Sequence, residues 1–184
     1  TGGHVRRTSE VVRLLMDAMR SDPDSGITDA FCNDVIKSAP MHDLGKIAVP
    51  DTILRKPGRL TAEEYEIVKQ HPVKSAEIIT QALTGIEDAQ LLSTAKNIAK
   101  YHHERMDGTG YPERLKGNDI PLEARIMAIA DVYDALVSER CYKAPMAFNE
   151  AFDTIQSCMG TQFDPALNCY FIACRAEIER FYQS

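Results

Sequence analysis

The chain lacks several signatures that would place it in common classes. No run alternates apolar and polar residues over the length of a strand, and there is no internal repeat or low-complexity tract. No apolar stretch reaches membrane length, and no secretory leader pattern is present. Positive charge is in deficit: 21 Lys and Arg face 27 Asp and Glu, for a formal net charge of −6. That balance excludes a general binder of nucleic-acid polymers. It leaves small anions open, because a bound cation reverses the local field. The five cysteines (Cys32, Cys141, Cys158, Cys169 and Cys174) form no CxxC pair. Their odd number argues against a disulfide framework and points to a reducing, cytoplasmic setting.

What is present is helical. The 184 residues, 44% hydrophobic and 26% charged, suit one globular domain with a sizeable core. His4, Thr8, Val12, Leu15 and Met19 step by four and three, one face of a first helix. "DPDSG" at Asp22–Gly26 breaks it. Phe31, Val35, Ala39 and His42 repeat the spacing. After the turn "KPGR" (Lys56–Arg59), Thr61 and Glu64 predict a capping box, with Leu60 and Tyr65 spaced as a hydrophobic staple. His71 precedes Pro72, which disfavours helical geometry at His71 and suits Pro72 as the first residue of a helix. Leu91, Ala95, Ile98 and His102 share a stripe, and Glu104 to Asp119 reads as loop. Pro121 opens an apolar helix with Ile126, Ile129, Ala130 and Tyr133. Phe148, Phe152, Ile155 and Met159 form another stripe. Asp164-Pro165 predicts a cap and a first helical turn, continued by Leu167, Phe171, Cys174, Ile178 and Phe181. The expected fold class is all-α. The chain opens at Thr1 without a methionine and is helix-like at once, so it is expected to be one domain, residues 1–184, excised from a longer protein.

The placement of the histidines carries the functional argument. There are five, and each falls on a core stripe, a helix end or a helix joint: His4, His42, His71 and the pair His102-His103. Asp43 follows His42, and Asp131 sits inside the apolar helix "IMAIADVYDAL". Each has a bland explanation. A lone histidine on an apolar stripe is more often a satisfied core residue than a ligand. His71-Pro72 is often only a joint, and paired histidines at a helix end complement the helix dipole. Asp131 could pair with Arg125. These explanations must all hold together, for unrelated reasons. A single one covers them: imidazole and carboxylate ligate borderline divalent metals. Seven candidates (His4, His42, Asp43, His71, His102, His103 and Asp131) exceed what one tetrahedral ion accepts, and suit two octahedral ions sharing the Asp43 carboxylate. With no thiolate in the set, zinc and iron–sulfur clusters are disfavoured.

The segments "HDLGKIAVPDTILRKPGRLTAEE" (His42–Glu64), "HP" (His71-Pro72), "HHERMDGTGYP" (His102–Pro112), "IADVYDAL" (Ile129–Leu136) and "GTQFDP" (Gly160–Pro165) occur in this order. In these the chain resembles the HD-GYP domains, a branch of the HD metal-dependent phosphohydrolases. The resemblance covers nearly the whole chain. It implies a compact helical bundle of the HD type with an extended GYP loop. It implies a cyclic di-GMP phosphodiesterase, with cyclic GMP-AMP as an alternative substrate and hydrolysis through the linear dinucleotide to mononucleotide. Asp43 would bridge, His42 and Asp131 would serve one ion, and His71, His102 and His103 the other, with the allegiance of His4 open. Iron is the expected metal, manganese or nickel the alternatives. Lys46 corresponds to a phosphate-contacting lysine, and with Asp43 forms the expected catalytic pair. Arg140 and Lys143 correspond to a basic pair on substrate phosphate, and Tyr111 to a residue touching a guanine. Gly108 and Gly110 are read as loop geometry.

The chain departs from the pattern in three places. Arg140-Cys141-Tyr142 stands where Arg-Pro-Tyr is frequent, and Ser75 where glycine is common. A third metal is left open, because its extra glutamate would lie ahead of Thr1. The alternatives are a weakly catalytic cyclic-dinucleotide receptor, or another HD enzyme acting on nucleotides. The resemblance further implies an upstream regulatory domain, with diguanylate cyclases, adaptors or a second copy as candidate partners.

Overall fold

The computed structural model describes residues 2–85, 87–139 and 144–184. They form helices joined by short 3₁₀ turns. The only strand-like pairing among them is an isolated bridge between Met159 and Phe163. Among the described residues no helix is long and apolar enough to cross a membrane.

Helix α1 (Gly2–Arg20) buries Thr8, Val12, Leu15 and Met19, together with Val11 and Met16. It packs on α2 (Asp29–Ser38), α7 (Leu122–Val137), α9 (Asn168–Ala173) and α10 (Arg175–Gln183). Thr28 caps α2 by accepting from the Phe31 N–H. The stripe through Ala39 and His42 holds its direction, but α2 stops at Ser38 and Ala39–Met41 tightens to a 3₁₀ turn. Pro40 lies in that turn, lacks an N–H and would crowd the preceding α-turn. A second 3₁₀ turn, Leu44–Ala48, follows, then α3 (Asp51–Leu54). The predicted capping box is formed at the start of α4 (Ala62–Val68): Thr61 accepts from the Glu64 N–H, and Glu64 accepts from the Thr61 N–H.

His71 differs from expectation. It is the first residue of α5 (His71–Ala82), and Gln70 before it is already in the right-handed helical region. The tight joint from α4 and the Lys74 N–H bond to Gln70 O outweigh the local pre-proline preference. Helix α6 (Ala89–Tyr101) is capped by Asp88 and ends on His102. Helix α7 is buried on most of its circumference, as expected for a central helix. After α8 (Phe148–Ser157), Asp164 caps a 3₁₀ turn, Pro165–Leu167. The last apolar stripe is therefore not one helix but a 3₁₀ turn, α9 and α10, the two helices meeting at Cys174. The Cys174 thiol is turned onto the Leu14 carbonyl oxygen, 3.2 Å away.

The main core joins α1, α2, α7 and α8 to the C-terminal helices, with Phe152 and Phe171 stacked at 4.3 Å and Tyr133 edge-on to both. A smaller cluster, Ile79, Ala95 and Ala99, joins α5 to α6. The seam between these two packing units is where the histidines meet.

Candidate metal centre

Five elements deliver the seven candidate ligands. His4 comes from the first turn of α1, and His42 and Asp43 lie between the two 3₁₀ turns. His71 starts α5, His102 and His103 close α6, and Asp131 projects from α7. They converge as two groups, and within each the ligand atoms lie within 4.8 Å of one another: Asp43, His71, His102 and His103 form one, and His4, His42 and Asp131 the other.

Asp43 stands between the groups with one oxygen toward each. Its Oδ1 is 3.2 Å from His71 Nε2 and 3.8 Å from His102 Nε2. Its Oδ2 is 3.4 Å from His42 Nε2 and 3.5 Å from His4 Nε2. His103 Nε2 lies 3.2 Å from His71 Nε2, and His4 Nε2 lies 3.2 Å from His42 Nε2 and 3.4 Å from Asp131 Oδ1. His4, whose allegiance the sequence left open, falls with His42 and Asp131. Asp131 does not pair with Arg125, which is committed to Asp164 Oδ2 at 2.5 Å.

Two observations test whether such a group of residues fits divalent cations. Asp43 Oδ1 and His102 Nε2 are buried with no hydrogen-bond partner. Buried polar atoms are rarely left so without a reason, and an ion is a sufficient one. The imidazoles are also held with Nε2 inward. His42 Nδ1 is 2.9 Å from Ala39 O, and His71 Nδ1 is 2.7 Å from Val68 O. His102 Nδ1 is 3.0 Å from both Ile98 O and Ala99 O. A carbonyl only accepts, so each Nδ1 must carry the proton, leaving the inward Nε2 lone pair free to ligate.

The electrostatics set His4 apart from His42 and His102. Burial pushes His42 below its ordinary value and His102 down to about 4, aided at His102 by neighbouring His42. Burial also lowers His4, but hydrogen bonds with Asp134 and Asp43 and the Asp131 charge outweigh it and carry His4 up to about 9. Burial alone would raise the Asp43 carboxyl, yet the contact with His4 and the charge of Lys46 hold it well below the usual range.

Lys46 reaches from the 3₁₀ turn Leu44–Ala48 to Asp43 Oδ2. It stands in the wall of a cleft of about 1180 Å³ lined by His4, Asp43, Leu44, Leu54, Arg59 and Tyr65, among others. Tyr111 is half-buried, its ring stacked on His103 at 4.8 Å. Gly110 is required there by space: a Cβ would lie 2.5 Å from Glu104 Cα and 2.6 Å from His103 O. Gly108 has φ +80°, which also favours glycine. Arg140 and Lys143, with Cys141, lie outside the described residues. Ser138 and Glu139, just before them, line the cleft.

Sequence reading assigned no role to three residues around the centre. Ser75 is fully buried, and its Oγ accepts from the Gly45 N–H at 2.7 Å, tying α5 to the turn that carries Asp43 and Lys46. Glu104, also buried, accepts from the Glu113 N–H at 2.7 Å and holds the GYP loop closed on itself. Asp134, one turn after Asp131, lies 2.7 Å from His4 Nδ1. The available signal was a second carboxylate at i+3 inside an apolar helix, costly to bury without a partner.

A family model described as HD domain matches residues 3–167. A Vibrio cholerae protein named cyclic di-GMP phosphodiesterase is 43% identical over 175 residues, 94% of this chain and 36% of its own length. Another from that organism, named 3'3'-cGAMP-specific phosphodiesterase 2, is 38% identical over 167 residues, 91% of this chain and 30% of its own. Among solved structures, Bd1817, an HDG"Y"P protein from Bdellovibrio bacteriovorus, superposes with a TM-score of 0.61 at 21% identity, covering 89% of this chain and 50% of that one. The chain thus spans well under half the length of the two curated relatives.

Proposed function

The chain belongs to the HD domain family, and from that premise we propose that it is a metal-dependent phosphodiesterase hydrolysing a cyclic dinucleotide, cyclic di-GMP or cyclic GMP-AMP. The observation that carries this reading is the single Asp43 carboxylate with a nitrogen-rich ligand group at each oxygen. His4, His42 and Asp131 would hold one ion, and His71, His102 and His103 the other, with Asp43 shared. Bound divalent cations supply electrophilic activation of a phosphoryl oxygen and an acidified water. Iron is the proposed metal, with manganese or nickel the alternatives, because the donors are imidazole and carboxylate without thiolate.

The chain's own residues do the rest. Lys46 pairs with Asp43 in the cleft wall, which supports its assignment to neutralising charge on phosphoryl oxygens. Arg140 and Lys143 are assigned the same role from the sequence. Leu44, Leu54 and Tyr65 are exposed large apolar side chains lining the cleft, suited to cover the face of a base. Tyr111, stacked on His103, is assigned to guanine contact. Hydrolysis of one phosphodiester adds water and leaves a linear dinucleotide with a terminal phosphate and a free hydroxyl. The second phosphodiester remains, and the added negative charge favours retention by the same cationic site, so a second cut to mononucleotide follows.

The domain is proposed to work in the cytoplasm behind an upstream regulatory domain. The greater length of the curated relatives supports the presence of further domains. The test is anaerobic purification, elemental analysis, and parallel product assays on both cyclic dinucleotides and on the linear intermediate. Two metal equivalents with conversion to mononucleotide are expected. One equivalent that reconstitution does not raise overturns the binuclear reading. Persistence of the linear compound overturns the second cut.

A further inference from the structure

We infer that Asp134 is a positioning residue that sets which nitrogen of His4 faces the metal centre, and that Arg7 is what makes this role specific to a carboxylate. The inference rests on the binuclear reading above. His4 differs from its three carbonyl-backed partners. Its Nδ1 is backed by Asp134 Oδ2 at 2.7 Å, a side chain from another helix. Asp134 is itself 1% exposed and fully engaged. Arg7 donates through Nε to Oδ1 at 2.6 Å and through its Nη2 to Oδ2 at 3.2 Å. Ser138 and Tyr182 each donate a hydroxyl to Oδ1 at 2.9 Å. One carboxylate thus joins α1, α7 and α10 behind a single ligand.

The donor inventory predicts what an isosteric amide would do. In Asp134→Asn an Arg7 donor meets the amide at either position, but its shorter bond, Nε at 2.6 Å against Nη2 at 3.2 Å, joins Ser138 and Tyr182 in drawing the oxygen to the Oδ1 position. The NH₂ group then faces His4 Nδ1. Two donors cannot face each other, so His4 must give up its Nδ1 proton and carry it on Nε2 instead. Nε2 is the atom directed at His42, Asp43 and Asp131. A protonated Nε2 cannot ligate. Arg7 is donor-only, whereas the two hydroxyls also accept. With Arg7 removed, the amide is free to turn, its NH₂ donating to Ser138 or Tyr182 and its oxygen accepting from His4.

The experiment is equilibrium dialysis of manganese alone into the wild type, Asp134→Asn, Arg7→Met and the Asp134→Asn/Arg7→Met double variant, with thermal melts alongside. The expected result is two ions in the wild type and in Arg7→Met. In Asp134→Asn one of the two should weaken by roughly ten- to hundredfold, the range for lost partners behind metal-bound histidines. The double variant should regain it. A merely structural role would make the double variant no better than the single one, and that result overturns the inference, as does an Asp134→Asn protein that binds both ions as the wild type does. The double variant buries no lone charge, so it remains a test if the single variant fails to fold. Fewer than two ions in the wild type would instead remove the binuclear reading on which this depends.

Discussion

The two sides of Asp43 differ at one ligand, His4. On the Oδ1 side, His71 and His102 are backed by carbonyls of their own or the adjoining helix, three or four residues earlier in sequence. That orientation is local and comes with the helix. On the Oδ2 side, His4 is backed by Asp134, 130 residues away, and Asp134 depends on Arg7, Ser138 and Tyr182. His42, on that same side, is backed by Ala39 O three residues earlier, so a single ligand, His4, is set by how three helices dock while the others named are set locally. The charge singles out the same ligand. Burial keeps His102 on the Oδ1 side and His42 on the Oδ2 side neutral, while Asp131 and Asp134 gather around His4, raised to about 9.

Asp43→Ala should abolish the distinction altogether. Removing the shared carboxylate is expected to empty both positions and reduce turnover by about a thousandfold or more, the scale on which sites acting as a unit fail. Elemental analysis with a product assay checks it, and retention of both ions would show that Asp43 is not the bridge. Next in size, His103→Ala and His4→Ala should each lose a single, different ion. Metal analysis of the two variants and of their double would show this, and identical residual occupancy in both would merge the two sides into one. Lys46→Ala should spare both ions and cost about ten- to hundredfold in kcat/KM, the worth of one charge-assisted phosphate contact. Loss of metal there would mean that Lys46 holds Asp43 rather than substrate.

Acid should distinguish His4 from the depressed imidazoles on both sides in the metal-free protein. His42 and His102 have folded-state values depressed by burial, so below pH 6.5 the unfolded chain binds more protons than the folded one, down to about pH 4 for His102. Stability should fall across that window. His4 acts with the opposite sign: its raised value stabilises the fold fully below pH 6.5, and that contribution fades as pH rises through about 9. Melting temperature against pH checks both, and His102→Gln should flatten the acid limb. Smallest of all, Ser75→Ala should cost about 1–3 kcal/mol by orphaning the buried Gly45 N–H, with metal retained. Thermal denaturation measures it.

Much of this was legible because helices write their contacts at fixed spacing. Stripes such as Thr8, Val12, Leu15 and Met19 placed the core, and the Thr61–Glu64 capping box was visible as a four-residue word. Polar residues on or beside such stripes pointed to one centre, since burying them needs a common compensation. Where reading failed, geometry was non-local. The last stripe looked continuous because periodicity survives the joint at Cys174. His71 looked extended because the pre-proline rule sees only its neighbour.

By itself, then, the sequence determined the helical class and singled out the seven candidate ligands. Only the tertiary structure decided which side of Asp43 takes His4, that Arg125 belongs to Asp164 rather than Asp131, and that Asp134 stands behind His4. Hydrogen bonds three or four residues apart are set by helical geometry, which sequence periodicity reports. Those spanning 130 residues are set by the docking of helices against a shared core, where many pairings satisfy the same local pattern and packing selects one.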